Sequence, residues 1–168
     1  MSGDALAELI AKDEIRSVLM RLARGTDRRD AALIRSCYHA DAIDDHGAFR
    51  GSPTDFADWV GTTLAIFEST MHVLGNVSIE LDGSAAHTET YCTAHHVFPA
   101  HDPGGARDVV MGLRYVDRFE QRAGGRWLIA KRLCVYDYCL SIPAGEAWPL
   151  DPPFTKGRPD RKDPSYLR

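Results

Sequence analysis

Three side chains, far apart along the 168-residue chain, have the types needed to move a proton on carbon: Asp27, His72 and Arg132. An imidazole ordinarily titrates near neutrality and suits proton abstraction. A carboxylate that accepts its other N–H fixes the tautomer and stabilises the imidazolium that forms. A guanidinium offers rigid donors to developing negative charge. Each residue also has an ordinary structural use. Asp27 opens a predicted second helix, where it can be an N-cap, with Asp30 favoured by the same helix dipole; capping and proton chemistry are compatible. His72, in "MHVLGN" at the mouth of an apolar strand, can be satisfied by backbone at a strand edge. Arg132, in "RWLIAKRLCVYDY", shares one side with Leu128, Ala130, Cys134, Tyr136 and Tyr138 by period-two alternation, and there it must be paired or meet an anion in a cavity. The opposite parity, Trp127, Ile129 and Leu133, would leave Arg132 solvated. That parity includes Lys131, so alternation alone does not choose.

Other polar groups carry weaker signals. His95 and His96 point to opposite sides of their strand; with His87 and His101 they lack the spacing of a zinc site, and no metal is expected. His95 shares parity with Glu89, Tyr91, Thr93 and Val97, and is expected to line one cavity with His72. Asn76 shares parity with His72, as a polar cavity group or an edge residue. "HADAIDDHG" fails the calcium-loop pattern, which leaves Asp41, Asp44 and Asp45 as turn and cap residues. No phosphate loop, nucleophile elbow or Ser/His/Asp order is present.

The elements that must position these groups follow from periodicity. Leu6, Leu9, Ile10, Ile15, Val18, Leu19 and Leu22 make Asp4 to Arg24 an amphipathic helix, which Gly25 and Thr26 are expected to interrupt. Asp27 to Tyr38 predicts a shorter helix, and His39 to Gly51 a small hairpin. Ser52 as N-cap and Pro53 at the first position start a third helix, whose buried stripe holds Phe56, Trp59, Val60, Thr63, Leu64 and Phe67. Val73 to Leu81, Ala85 to Phe98, Val109 to Phe119 and Trp127 to Tyr138 read as strands of an antiparallel meander. Helices followed by strands predict an α+β fold with the helices on one face of a curved sheet.

The length fits one domain, residues 1–142, with 143–168 as a tail that holds six of the nine prolines. Trp148, Phe154 and Tyr166 argue that this tail packs on the domain or on a neighbouring subunit. A charge of −4, spread along the chain, predicts no nucleic-acid partner. The absence of an apolar run of about 20 residues predicts no membrane span. Cys37, Cys92, Cys134 and Cys139 form no CxxC pair, and the first residues lack a signal-peptide plan. A cytoplasmic location is therefore expected.

The ordered set "RLARGTDRRD", "YHADAIDDHGAFRG", "MHVLGNVSIELDG", "AHTETYC" and "RWLIAKRLCVYDY", from about Leu6 to Tyr138, resembles the SnoaL-like branch of the nuclear transport factor 2-like superfamily. Within it the likeness is to the scytalone dehydratase, bile-acid 7α-dehydratase and hexachlorocyclohexane dehydrochlorinase group. The resemblance implies a cone-shaped α+β barrel, in which N-terminal helices close an apolar cavity. It implies an Asp27–His72 dyad with Arg132 beside it, no cofactor, and a homo-oligomer, a trimer ahead of a dimer. The implied reaction is a lyase or isomerase step on a hydrophobic cyclic small molecule; the alternative is a non-catalytic binding or scaffold protein of the same fold. Tyr38, Trp59, Asn76, His95 and Tyr138 are the expected substrate contacts. Leu22 stands where relatives can carry a Tyr or Lys that helps the leaving group, so an acid must come from elsewhere, with His95, Tyr38 and Tyr138 as candidates.

Overall fold

The computed structural model describes residues 3–123, 125–145 and 152–167. Helix α1 (Gly3–Asp27) leads into a short helix α2 (Ala31–Arg35), strands β1 (Tyr38–Asp45) and β2 (Arg50–Gly51), and helix α3 (Pro53–Thr63). Strands β3 (Ser69–Asp82), β4 (Ala85–Phe98), β5 (Arg107–Gln121) and β6 (Trp127–Pro143) follow. They form one sheet in the order β2-β1-β6-β5-β4-β3, with β3 at an open edge. The pairing is antiparallel except between β1 and β6, which run parallel. The sheet is curved and unclosed, and the fold is α+β. Among the described residues, no helix is long and apolar enough to cross a membrane.

Apolar burial sets the arrangement. Ile15, Val18, Leu19 and Leu22 of α1 and Phe56 and Val60 of α3 pack with Ile79, Phe119 and Ile129 of the sheet. Each such side chain contributes about 1.5–3 kcal/mol when fully buried. Leu6, Leu9 and Ile10 continue the stripe of α1 but are exposed on the isolated chain. At α3 the Ser52 hydroxyl accepts from Asp55 N at 3.2 Å and Pro53 occupies the first turn, as the sequence predicts.

The helix junction differs from expectation. Gly25 and Thr26 do not end α1; the Thr26 hydroxyl donates to Leu22 O at 3.0 Å and the helix continues to Asp27. The N-cap of α2 is Asp30, which accepts from Leu33 N at 3.2 Å. Asp27 is therefore at a helix C-terminus rather than a start. Residues 152–167 run back over this junction: Tyr166 Oη donates to Asp30 Oδ2 at 3.0 Å, and Arg24 donates to Ser165 O at 3.2 Å. Trp148 lies outside the described residues.

Three irregularities interrupt the alternation of the long strands. The β3–β4 register shifts between Leu74 and Val77, and the β5–β6 register shifts beside Phe119 and again beside Gly112. Each extra residue reverses which parity faces inward.

Candidate active site

Asp27 sits where the negative pole of α1 disfavours a carboxylate by about 0.3–1 kcal/mol. Three donors offset that cost. The Thr70 hydroxyl donates to Oδ1 at 3.1 Å, the backbone N–H of His72 to Oδ2 at 3.1 Å, and the His72 imidazole to Oδ1 through Nδ1 at 2.7 Å. Both side chains are largely buried. The carboxylate fixes Nδ1 as the protonated nitrogen, so Nε2 is the ring atom left to act as a base.

His72 lines a cavity of about 250 Å³ between α1, α3 and the inner face of the sheet, whereas Asp27 stands behind the ring and does not line it. Most of the wall is apolar, including Leu19, Leu22, Val60, Phe67, Leu74 and Leu113. Beside His72, the ring of His96 lies 5.6 Å away at 85° and packs on Phe67 at 4.9 Å. Burial, reinforced by His72, pushes His96 down to about 4. Its Nδ1 is buried without a hydrogen-bond partner, so at neutral pH His96 is an uncharged ring against the dyad.

A second polar group closes the cavity elsewhere. Arg132 is buried and forks onto Asp117, with Nε to Oδ1 at 2.8 Å and Nη2 to Oδ2 at 2.7 Å, while its plane covers Tyr115 at 4.0 Å. Burial opposes the Arg132 charge, but Asp117 and Tyr38 hold it well above its ordinary range. Nη1 is the nitrogen this fork leaves over. Next to it, Tyr38 Oη donates to Asp44 Oδ2 at 2.5 Å, and His46 Nδ1 bonds Asp44 Oδ1. The His46 ring lines the cavity, stacked on Phe56 at 4.8 Å, with Trp59 at 6.0 Å. Burial lifts the Cys92 and Cys134 thiols to about 11, which leaves both protonated.

The structure brings Asp27, His72, Arg132 and Trp59 to this site and places the other expected contacts differently. Asn76 is exposed, because the irregularity after Leu74 turns Val77 and Ile79 inward in its place. His95 pairs with Met71, while Ala94 pairs with His72, so His95 lies on the outer face, bonded to Asp108 at 2.7 Å. The inward histidine is His96. Tyr138 pairs with Gly112 on the outer face, after the irregularity that follows Tyr136; Tyr115 and Tyr136 are the tyrosines that line the cavity. Tyr38 is buried behind Asp44 and does not reach the cavity wall. None of His95, Tyr38 and Tyr138 is thus placed to serve as the acid expected in compensation for Leu22. Nor is Asp44 a mere turn residue, as the hairpin reading has it: it holds His46, to which the sequence reading gives no role. Among the described residues, no three His, Cys, Asp or Glu side chains group as metal ligands would.

A SnoaL-like domain model matches residues 7–133. An uncharacterized protein of Mycobacterium tuberculosis is 28% identical over 134 residues, covering 77% of this chain and 87% of that protein. Among solved structures, a hexachlorocyclohexane dehydrochlorinase, LinA type 2, superposes with a TM-score of 0.71 at 19% identity, covering 87% of this chain and 96% of its own. A scytalone dehydratase-like protein of Novosphingobium aromaticivorans gives 0.67 at 17%, covering 88% and 100%. A protein of Kribbella flavida gives 0.70 at 17%, covering 79% and 95%. At these identities the structural likeness speaks for the fold.

Proposed function

The chain belongs to the SnoaL-like domain family, and on that premise we propose that it is a cofactor-independent lyase that eliminates water or halide from a hydrophobic cyclic small molecule. The observation that carries this reading is the His72 imidazole, lining an apolar cavity with Nδ1 held at 2.7 Å by Asp27. His72 Nε2 takes the proton from a carbon beside an electron-withdrawing group, and Asp27 stabilises the imidazolium. Arg132 Nη1 and the Tyr136 hydroxyl are the donors on the wall for developing negative charge. The same base performs isomerisation when the proton returns to another carbon. A cavity of about 250 Å³ is below the roughly 300–1,000 Å³ of sites for drug-sized ligands, which favours one or two fused rings over a larger skeleton.

Residues 1–142 form the catalytic domain in this reading, and residues 143–168 a tail, of which residues 152–167 brace the α1–α2 junction. The exposed apolar side chains Met71, Val73, Tyr91, Leu140 and Ile142 support a homo-oligomer; the family resemblance puts a trimer ahead of a dimer. The test of the dyad is turnover of bicyclic β-hydroxy ketones by the wild-type chain and by His72→Ala and Asp27→Asn. The variants are expected to lose about 10²–10⁴-fold. Undiminished turnover in either variant removes the dyad from the mechanism.

A further inference from the structure

The cavity holds a second imidazole with a buried carboxylate behind it, and the elimination reading does not use it. Asp44 is fully buried, with one oxygen on His46 Nδ1 and the other on the Tyr38 hydroxyl at 2.5 Å. The backbone holds the residue on both sides: His46 N donates to Phe49 O at 2.8 Å, and Ala48 N donates to His46 O at 2.8 Å. Phe56 stacks on the ring at 22°. With Nδ1 committed to Asp44, Nε2 is the nitrogen that remains, and no hydrogen bond among the described residues engages it. This is the plan of Asp27 and His72 repeated from a different element.

We infer that His46, held by Asp44, is the proton donor to the leaving group, working with His72 as the base on the other side of the substrate. This rests on the elimination reading above. In the step, His72 Nε2 takes the proton from carbon, and the C–H electron pair becomes the new C=C bond. The bond from the adjacent carbon to hydroxide breaks with its electron pair, and the Nε2 proton of His46 converts that hydroxide to water. His72 ends protonated and His46 neutral; His72 then gives its proton to solvent and His46 takes one from it, which restores both. The position supplies what Leu22 cannot, since that side chain adds only apolar wall.

The charges around His46 suit the role. β1 places Asp44 and Tyr38 there, β5 places Asp117 and Tyr115, and β6 places Arg132 and Tyr136, whose hydroxyl lies 3.5 Å from His46 O. From α3 only the rings of Phe56 and Trp59 reach it. Two carboxylates stand against one guanidinium. A carboxylate at Nδ1 steadies the ring through the transfer of a proton from Nε2.

The experiment compares a bicyclic β-hydroxy ketone with the β-chloro ketone of the same ring, because hydroxide must be protonated to leave and chloride need not be. With the wild-type chain, the hydroxy ketone rate is expected to fall on the alkaline side while the chloro ketone rate does not. His46→Gln and Asp44→Asn are expected to lower the hydroxy ketone rate about 10²-fold, at least tenfold more than the chloro ketone rate. Equal effects on both compounds overturn the donor role, as do parallel pH profiles. Deuterium uptake at the α-carbon of the unsubstituted bicyclic ketone reads the base alone. A wild-type chain that takes up no deuterium and consumes neither ketone refutes the elimination reading and the donor role with it. Uptake that needs His72, with elimination indifferent to His46, refutes the donor role alone. Independently of variants, histidine ¹⁵N spectra of the wild-type chain with added naphthol should show His46 protonated at Nδ1 and its Nε2 signal moved. An unprotonated Nδ1 or an unmoved Nε2 overturns the inference.

Discussion

Arg132→Met is expected to cost about 3–5 kcal/mol of folding free energy, because it strands a buried carboxylate. The Asp117 side chain is wholly inaccessible, and both of its oxygens are taken by Arg132, at 2.8 and 2.7 Å. Burial already raises the Asp117 carboxyl above its usual range, and Arg132 is the main group opposing that rise. Without the arginine the folded-state pKa rises further. The folded variant then binds a proton that the unfolded chain, titrating near 4, has released, so stability declines as pH rises from about 4 to the new folded value. The penalty should be small in acid and full at neutral pH. Urea unfolding at several pH values measures it, and thermal scans should show a loss of roughly 6–20 °C at neutral pH. The double variant Arg132→Met/Asp117→Leu, which removes both charges, should recover most of the stability but not the turnover, since the Nη1 donor is gone. A single variant that loses under about 1 kcal/mol, or a double variant no more stable than the single, would refute the argument that this pair is an obligate buried couple.

His96, pushed down to about 4 by burial, is neutral when folded and gains a proton on unfolding in mild acid. It makes stability fall as pH drops from about 6.5 towards 4, by up to about 3 kcal/mol, and His96→Phe should flatten that limb of the urea-midpoint profile. Glycine at 112 gives the Tyr138 ring its seat, since a Cβ there would lie 2.1 Å from the ring. Gly112→Ala should cost about 1–3 kcal/mol, and Tyr138→Ser in the same chain should return part of it by differential scanning calorimetry. Leu140→Glu and Ile142→Glu should lower the mass measured by light scattering to that of one chain, while a single-chain mass for the wild type would contradict the oligomer.

Most of the frame was legible because its signals are local. The stripe of α1, the Ser52–Pro53 start of α3 and the four long apolar strands each follow from spacing or capping alone. Asp27 and His72 came together as expected, yet for a reason the helix signals misstate: Gly25 and Thr26 look like a stop, but the backbone stays helical to Asp27. The errors at Asn76 and Tyr138 share one cause. Period-two alternation holds only while a strand is regular, and β3 and β6 each shift register inside the stretch that was read as one phase. In β6 this reconciles the two parities of the sequence, with Trp127 and Ile129 inward before the first shift and Arg132, Cys134 and Tyr136 inward after it. His46 was missed because "DDHG" carries every sign of a turn. Only tertiary pairing of β1 with β6 shows that its ring meets a cavity, and no property of one segment encodes that.

Asp27 also matters to colloidal behaviour. Strand β3 is one of the two margins of the sheet, and a free margin offers backbone donors to any passing strand. The His72 N–H that Asp27 Oδ2 accepts is such a donor, so the carboxylate masks part of the margin where another chain could add. The residue that holds the His72 ring therefore also guards against strand-to-strand association. Asp27→Ala, which leaves that donor bare, is expected to aggregate faster on mild heating than Asp27→Asn, whose amide oxygen can still accept from it.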